Sequence, residues 1–208
     1  MNIRKALQTT AVLIRWNHGQ EKVTKLVTLL YLSEREAILH WSFPILFDDW
    51  YLTQTGPLVG RIMDYIQTGC NNRWNAYLRT ENKDVMIIKN PGIDELSMAE
   101  LELLRRIYKE HENKDGRAML QFTRNLPEYK TVQRGRDAIQ YKELLSKNLD
   151  PAKHNIDEIL KNIYILKKEE EFLYTWKAFM MIIVWYYIFW GSITNRVGNI
   201  FLNEEAVK

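Results

Sequence analysis

Asp48 and Asp49 are the nearest approach in this chain to a paired-carboxylate centre, and their adjacency argues against one. Neighbours in sequence seldom aim both carboxylates at one substrate atom. Short acidic side chains in turns commonly accept hydrogen bonds from nearby backbone instead, so the pair reads as loop-capping or partner-contacting. Trp50 and Tyr51 follow directly and are either core plugs or exposed binding anchors. Core is the favoured reading, although aromatic residues are also enriched at interface hot spots. The four histidines, His18, His40, His111 and His154, are far apart, and none falls in HExxH or cysteine–histidine spacing, so no metal site is expected. Cys70 stands in Gly69-Cys70-Asn71 without a local base to raise its thiolate fraction and reads as a bystander. Gly56 and Gly60 complete neither a Walker nor a dinucleotide motif, which removes the phosphate cradle. No cofactor is expected, and the chain is not read as an enzyme.

The cations are the other chemical signal. Lys114, Arg117, Arg124, Lys130, Arg134 and Arg136 stand against only Asp115 and Glu128. Such a run is either a solvated face or a site for an acidic partner or nucleic acid, and phosphate binding needs the charges clustered on one face. The whole chain has 29 basic and 26 acidic residues, a balance that makes no polyanion the obvious partner. One cysteine cannot form an internal disulfide, which fits a reducing cytoplasm. The N-terminus breaks its apolar residues with Gln8, Thr9 and Thr10, unlike a signal peptide, so export is not expected.

The elements that must position these residues are mostly helical. From about Glu21 to Leu39, Val23, Leu26, Val27, Leu30, Tyr31 and Ile38 recur at three- and four-residue steps, predicting a core helix with Lys22, Lys25, Glu34, Arg35 and Glu36 outward. It should end before Ser42-Phe43-Pro44. Arg4 to Trp16 reads as a preceding helix. Asp48 to Pro57 reads as a loop, with Pro57 in the first turn of a helix carrying Val59, Ile62, Met63 and Ile66. Two β-prone runs, Trp74 to Leu78 and Val85 to Ile88, flank Glu81-Asn82-Lys83-Asp84 and predict a hairpin. Ser97-Met98-Ala99-Glu100 has capping-box spacing and should start a helix reaching about His111. Shorter helices are expected over 116–123 and 138–149, and Asp150-Pro151 should cap one running to about Leu166. The fold class is therefore mainly α with one small β-hairpin, a compact helical domain over 1–166.

The order of these pieces resembles the Panacea domain, the SocA-like antitoxin family of bacterial toxin–antitoxin pairs and phages. The similarity lies in Lys25-Leu26-Val27-Thr28-Leu29-Leu30-Tyr31-Leu32-Ser33-Glu34-Arg35, and in Phe43-Pro44-Ile45 with Trp50-Tyr51 and Gly56-Pro57-Leu58. It continues in Ile93 to Glu100 with its Leu-Ser-x-x-Glu helix start, and in Leu126-Pro127-Glu128-Tyr129-Lys130 ahead of Ile139 to Leu145. Each piece alone is common, and their order over roughly 20–150 carries the match. The resemblance implies a protein that neutralises a cognate toxin by direct contact or delivers it to a protease as an adaptor, without chemistry of its own. Tyr31, Arg35, Asp48, Asp49, Trp50, Tyr51, Gly56 and Pro57 are the expected partner-contacting residues. The alternative function is a nucleic-acid-binding phage or plasmid regulator using the cations of 114–136.

The C-terminal part, 167–208, reads as a hydrophobic helix and tail. From Ala178 to Asn195 no residue is charged, and Phe179 to Trp190 is apolar or aromatic all round. As a helix, 178–195 would extend about 27 Å at ~1.5 Å per residue, just short of a hydrocarbon core of ~30 Å. Adding Phe172 to Trp176, with Lys177 snorkelling, makes up the difference. A membrane anchor is the preferred expectation, with the main domain on the cytoplasmic side because lysines are denser before the segment than after it. The competing expectation is a helix buried in protein, since Trp185, Tyr186, Tyr187 and Trp190 lie well inside the segment.

Overall fold

The computed structural model describes the backbone of residues 1–205, and side chains through Trp185 apart from Tyr174, Lys177 and Ala178. It divides into two compact units, Met1–Lys167 and a second from Lys168 onward.

In the first unit, helix α1 (Ile3–Trp16) is capped by Asn2, whose side chain accepts from Arg4 N and Lys5 N. Its polar residues Gln8, Thr9 and Thr10 are buried and satisfied. The threonine hydroxyls donate back to Lys5 O and Ala6 O, while the Gln8 amide holds the loop ahead of the fifth helix through Pro91 O, Asp94 and Glu95 N. After strand β1 (Gln20–Lys22), helix α2 (Val23–Trp41) runs through the centre of the core. It ends where Ser42 turns left-handed at φ 64°, just ahead of Pro44. The expected outward side is corrected: Lys25, Glu34 and Arg35 are buried as well as the apolar stripe. A helix packed on several sides has no solvent face to give its charges, so they must find partners inside.

The stretch predicted as a loop is a second hairpin, β2 (Trp50–Thr53) with β3 (Gly56–Val59), in the register Trp50↔Val59 to Thr53↔Gly56. Pro57 therefore lies in a strand and not in the first turn of a helix. That strand is the edge of its sheet, ordered β3-β2-β6, where a missing N–H costs little. Helix α3 (Gly60–Thr68) and the single turn α4 (Asn72–Asn75) follow. Trp74 belongs to that turn and to the core, so the predicted hairpin is shorter than expected: β4 (Leu78–Glu81) and β5 (Asp84–Ile87). Asn82 and Lys83 join them with φ of 51° and 67°. These are the two positive values of a two-residue turn whose twist suits a hairpin. β5 also pairs with β1, making the second sheet β1-β5-β4.

Helix α5 (Met98–His111) starts at Ser97 with both bonds of the capping box formed. Helix α6 (Gly116–Arg124), the short strand β6 (Asp137–Ala138) and helix α7 (Tyr141–Asn148) complete the α+β arrangement. Asp150-Pro151 starts no helix. A turn follows it, and α8 (Ile156–Glu205) begins after Asn155, whose side chain accepts from Glu158 N. Ile159 and Ile163 of its first turns are buried. The helix does not stop near Leu166 and continues into the second unit.

In that second unit the apolar side chains of Phe172, Trp176, Phe179, Ile182 and Trp185 are exposed. Among the described residues no helix is long and apolar enough to cross a membrane, so the expected spanning segment is not supported. The side chains of 186–195, the remainder of that expected segment, lie outside the described residues.

Candidate functional site

The expected contact residues converge, but inward. Tyr31 and Arg35, one turn apart on α2, both reach Glu128. The Tyr31 hydroxyl donates to Glu128 Oε1 at 2.7 Å, and Arg35 Nε donates to the same oxygen at 2.7 Å. Asn148 closes the network from the end of α7: its Nδ2 donates to Glu128 Oε2 at 3.1 Å, and its Oδ1 accepts from Arg35 Nη2 at 2.5 Å. One carboxylate thus ties α2, the 126–130 segment and α7 together. Burial pushes the Glu128 carboxyl up, but the Arg35 guanidinium and the Tyr31 hydroxyl outweigh it and hold the group below the ordinary range. The Tyr31 hydroxyl is pushed well up, first by burial and then by the Glu128 charge.

A second buried carboxylate, Asp48, serves as a remote cap. Its Oδ2 accepts from Arg61 N at 2.9 Å and Ile62 N at 3.3 Å, in the first turn of α3, and its Oδ1 accepts from Asp49 N at 2.9 Å. Val59, at the cap position itself, supplies no side-chain bond. A carboxylate at a helix N-terminus meets both unpaired amides and the positive end of the helix dipole. Nearby, Glu34 accepts from Leu46 N through both oxygens, at 3.1 and 3.3 Å. Complete burial raises its pKa to about 8, with the Asp48 charge adding to the effect.

Trp50 sits edge-on between Tyr31 and Tyr141, at 5.6 and 5.1 Å between ring centres. Its indole N–H is buried without a hydrogen-bond partner among the described residues. Gly56, at φ +124°, presses against α6 so closely that a Cβ would lie 2.9 Å from Leu120 Cδ2.

Tyr31, Arg35, Asp48, Trp50, Gly56 and Pro57 are therefore buried inside the fold. Asp49 is exposed and pairs with Lys167 Nζ at 3.3 Å, and Tyr51 is half-buried with the Arg136 guanidinium 6.0 Å from its ring centre. Glu34, Glu128 and Asn148 were not expected at the centre. The signal for Glu128 was present, since Pro127-Glu128 belongs to a stretch that already resembled a family motif. Glu34 likewise belongs to the Lys25–Arg35 run that resembles the family, whereas nothing local marked Asn148.

The basic stretch does not form one free face. Lys130 pairs with Glu143 at 2.5 Å, Arg136 with Asp64 at 2.9 Å, and Arg124 donates to Gln54 O. Lys114 Nζ lies 2.9 Å from His111 Nδ1, and burial, together with that cation, lowers the His111 pKa to about 4. Among the described residues no three His, Cys, Asp or Glu side chains gather as metal ligands.

Two surface grooves flank α5. One, about 620 Å³, lies beside His40, Trp41 and Arg106; the other, about 350 Å³, lies between α1 and α5. Neither was legible as a groove in the sequence, because each is made by residues from separate elements.

A sequence model described as "Antitoxin SocA-like, Panacea domain" matches residues 26–130. The matched stretch runs from α2 to just beyond Glu128 and so contains the Tyr31, Arg35 and Glu128 parts of the buried network. No curated protein and no solved structure matches the chain.

Proposed function

The chain belongs to the SocA-like Panacea antitoxin family, and from that premise we propose that it neutralises a cognate toxin by direct contact, with no bond in the toxin made or cut. The observation that carries this reading is the family match itself, which covers the helix and loop residues whose buried polar contacts lock the first unit into one shape. A locked surface binds with less ordering cost than a mobile one, which suits an inhibitor that works by occupancy. Asp49 and Tyr51 are the members of the expected contact set left at the surface and available to a partner.

The test is co-expression with the toxic product of a neighbouring gene. Restored growth with unchanged toxin abundance, together with a co-purifying stoichiometric complex, is the expected result. Restored growth with falling toxin abundance would favour delivery to a protease over direct neutralisation. No rescue and no complex would remove the antitoxin reading. Nucleic-acid binding gains no support from the 114–136 cations, several of which are held by the chain's own acceptors.

A further inference from the structure

The groove between α1 and α5 combines apolar lining residues with two arginines, and we propose that it receives an acidic amphipathic helix of the toxin. The inference rests on the antitoxin reading for the source of that helix, but not for the chemistry of the groove.

Each wall is one helical face. Arg15 and Trp16 stand three and four residues after Val12 on α1, while Met98, Leu101 and Arg105 follow three- and four-residue steps on α5. Ile93, in the segment leading to α5, also lines the groove. Met98 is 72% exposed and Ile93 44% exposed. Single exposed apolar residues are ordinary, but these two converge on one trough whose interior is also apolar. The lining comes from two helices and a loop and offers no free strand edge, so the fitting ligand is a helix laying its apolar stripe inward.

The rim selects the sign of the ligand. Arg15 and Arg105 are exposed there, against one carboxylate, Glu102. Among the described residues neither Arg105 nor Glu102 has an ion-pair partner, and Arg15 donates to a neutral acceptor, Asn90 Oδ1, at 2.6 Å. Two cations over an apolar floor complement a helix with acidic flanks. The walls are held before any ligand arrives: the Tyr108 hydroxyl donates to Trp16 O at 2.9 Å, the two rings lie 5.5 Å apart, and Lys5 pairs with Glu100 at 2.6 Å. A trough so braced requires little rearrangement on binding.

The experiment titrates the full chain with a fluorescein-labelled synthetic helix of leucine and glutamate. A leucine–lysine helix and a scrambled acidic peptide serve as controls. The acidic helix alone should bind, and Met98→Glu or Arg105→Glu should each weaken it by about tenfold, while Lys109→Glu leaves it unchanged. Because these side chains are exposed, melting temperatures should not move. Equal binding of the lysine helix, or affinities within about twofold for both groove variants, overturns the proposal. A concentration-dependent dimer lost in Met98→Glu, with no peptide bound, overturns it in favour of a second copy. If the wild-type chain rescues the toxin and the Met98→Glu/Arg105→Glu double variant rescues equally well, the groove fails and the antitoxin reading stands. If wild type gives no rescue, the antitoxin reading fails alone, because the peptide titration reads the groove without the toxin.

Discussion

Removing the Glu128 carboxylate leaves the Arg35 guanidinium with only Glu36 and Asn148 as partners and takes the acceptor from the buried Tyr31 hydroxyl. Breaking one partner of a buried charge pair typically costs about 3–5 kcal/mol. Glu128→Ala should lose a stability of that order in urea unfolding. Replacing both Arg35 and Glu128 with apolar residues should cost less than the sum of the two single changes, since no charge is then left alone. Glu34 makes a pH prediction of definite sign. The folded chain keeps its proton to about pH 8, whereas the unfolded chain releases it above the ordinary 4.5. Stability therefore falls as pH rises through that window. His111 acts oppositely but lower down: its folded value near 4 lies below the ordinary 6.5, so its contribution is lost as pH falls between those values. Denaturant unfolding at pH 7 and pH 8 should thus show a decline of about 1 kcal/mol that Glu34→Gln flattens. Trp50→Phe should be tolerated better than Trp50→Ala, because it keeps most of the ring and removes a buried donor that has no acceptor.

Among the elements, the β4–β5 turn carries an unrelieved cost. Lys83 holds φ 67°, a conformation that side chains with a Cβ disfavour. Lys83→Gly relieves it and keeps the backbone carbonyl that accepts from Val23 N at 2.9 Å. A gain of about 0.5 kcal/mol, net of the glycine's greater unfolded freedom, should appear as a raised melting temperature. The start of α5 responds the other way. Ser97→Ala removes the side-chain half of the capping box and should cost about 1 kcal/mol. That loss would come at the end of α5 that forms one wall of the α1–α5 groove, so peptide affinity and stability can be compared in a single variant.

For the whole molecule, the boundary at Lys167/Lys168 separates a unit with a continuous core from one whose described apolar side chains, Ile183 apart, are exposed. Chain ended after Lys167 should unfold cooperatively near the full-length midpoint. It should bind far less of a hydrophobic dye such as anilinonaphthalene sulfonate, because Phe172, Trp176, Phe179, Ile182 and Trp185 go with the tail. Loss of cooperative unfolding on truncation would show instead that the first unit needs the rest of α8.

Local sequence signals determined α2 and α5, through an apolar repeat in the first and a capping box in the second, because both signals act within a few residues. The family resemblance was legible for the same reason, in short runs such as Leu30-Tyr31 and Pro127-Glu128 read in order. Local signals misjudged the Asp48–Pro57 stretch: Gly56-Pro57 suits a helix start as well as a strand edge, and only pairing with Trp50–Thr53 chose the strand. The site depended still more on tertiary structure. Whether Arg35 and Asp48 face a partner or the core is set by what packs against them. Those neighbours, Glu128 and the first turn of α3, are brought in by the folded chain and not by spacing. A charge on a helix reads as solvent-facing until a carboxylate distant in sequence is placed beside it, and only the closed core brings the two together.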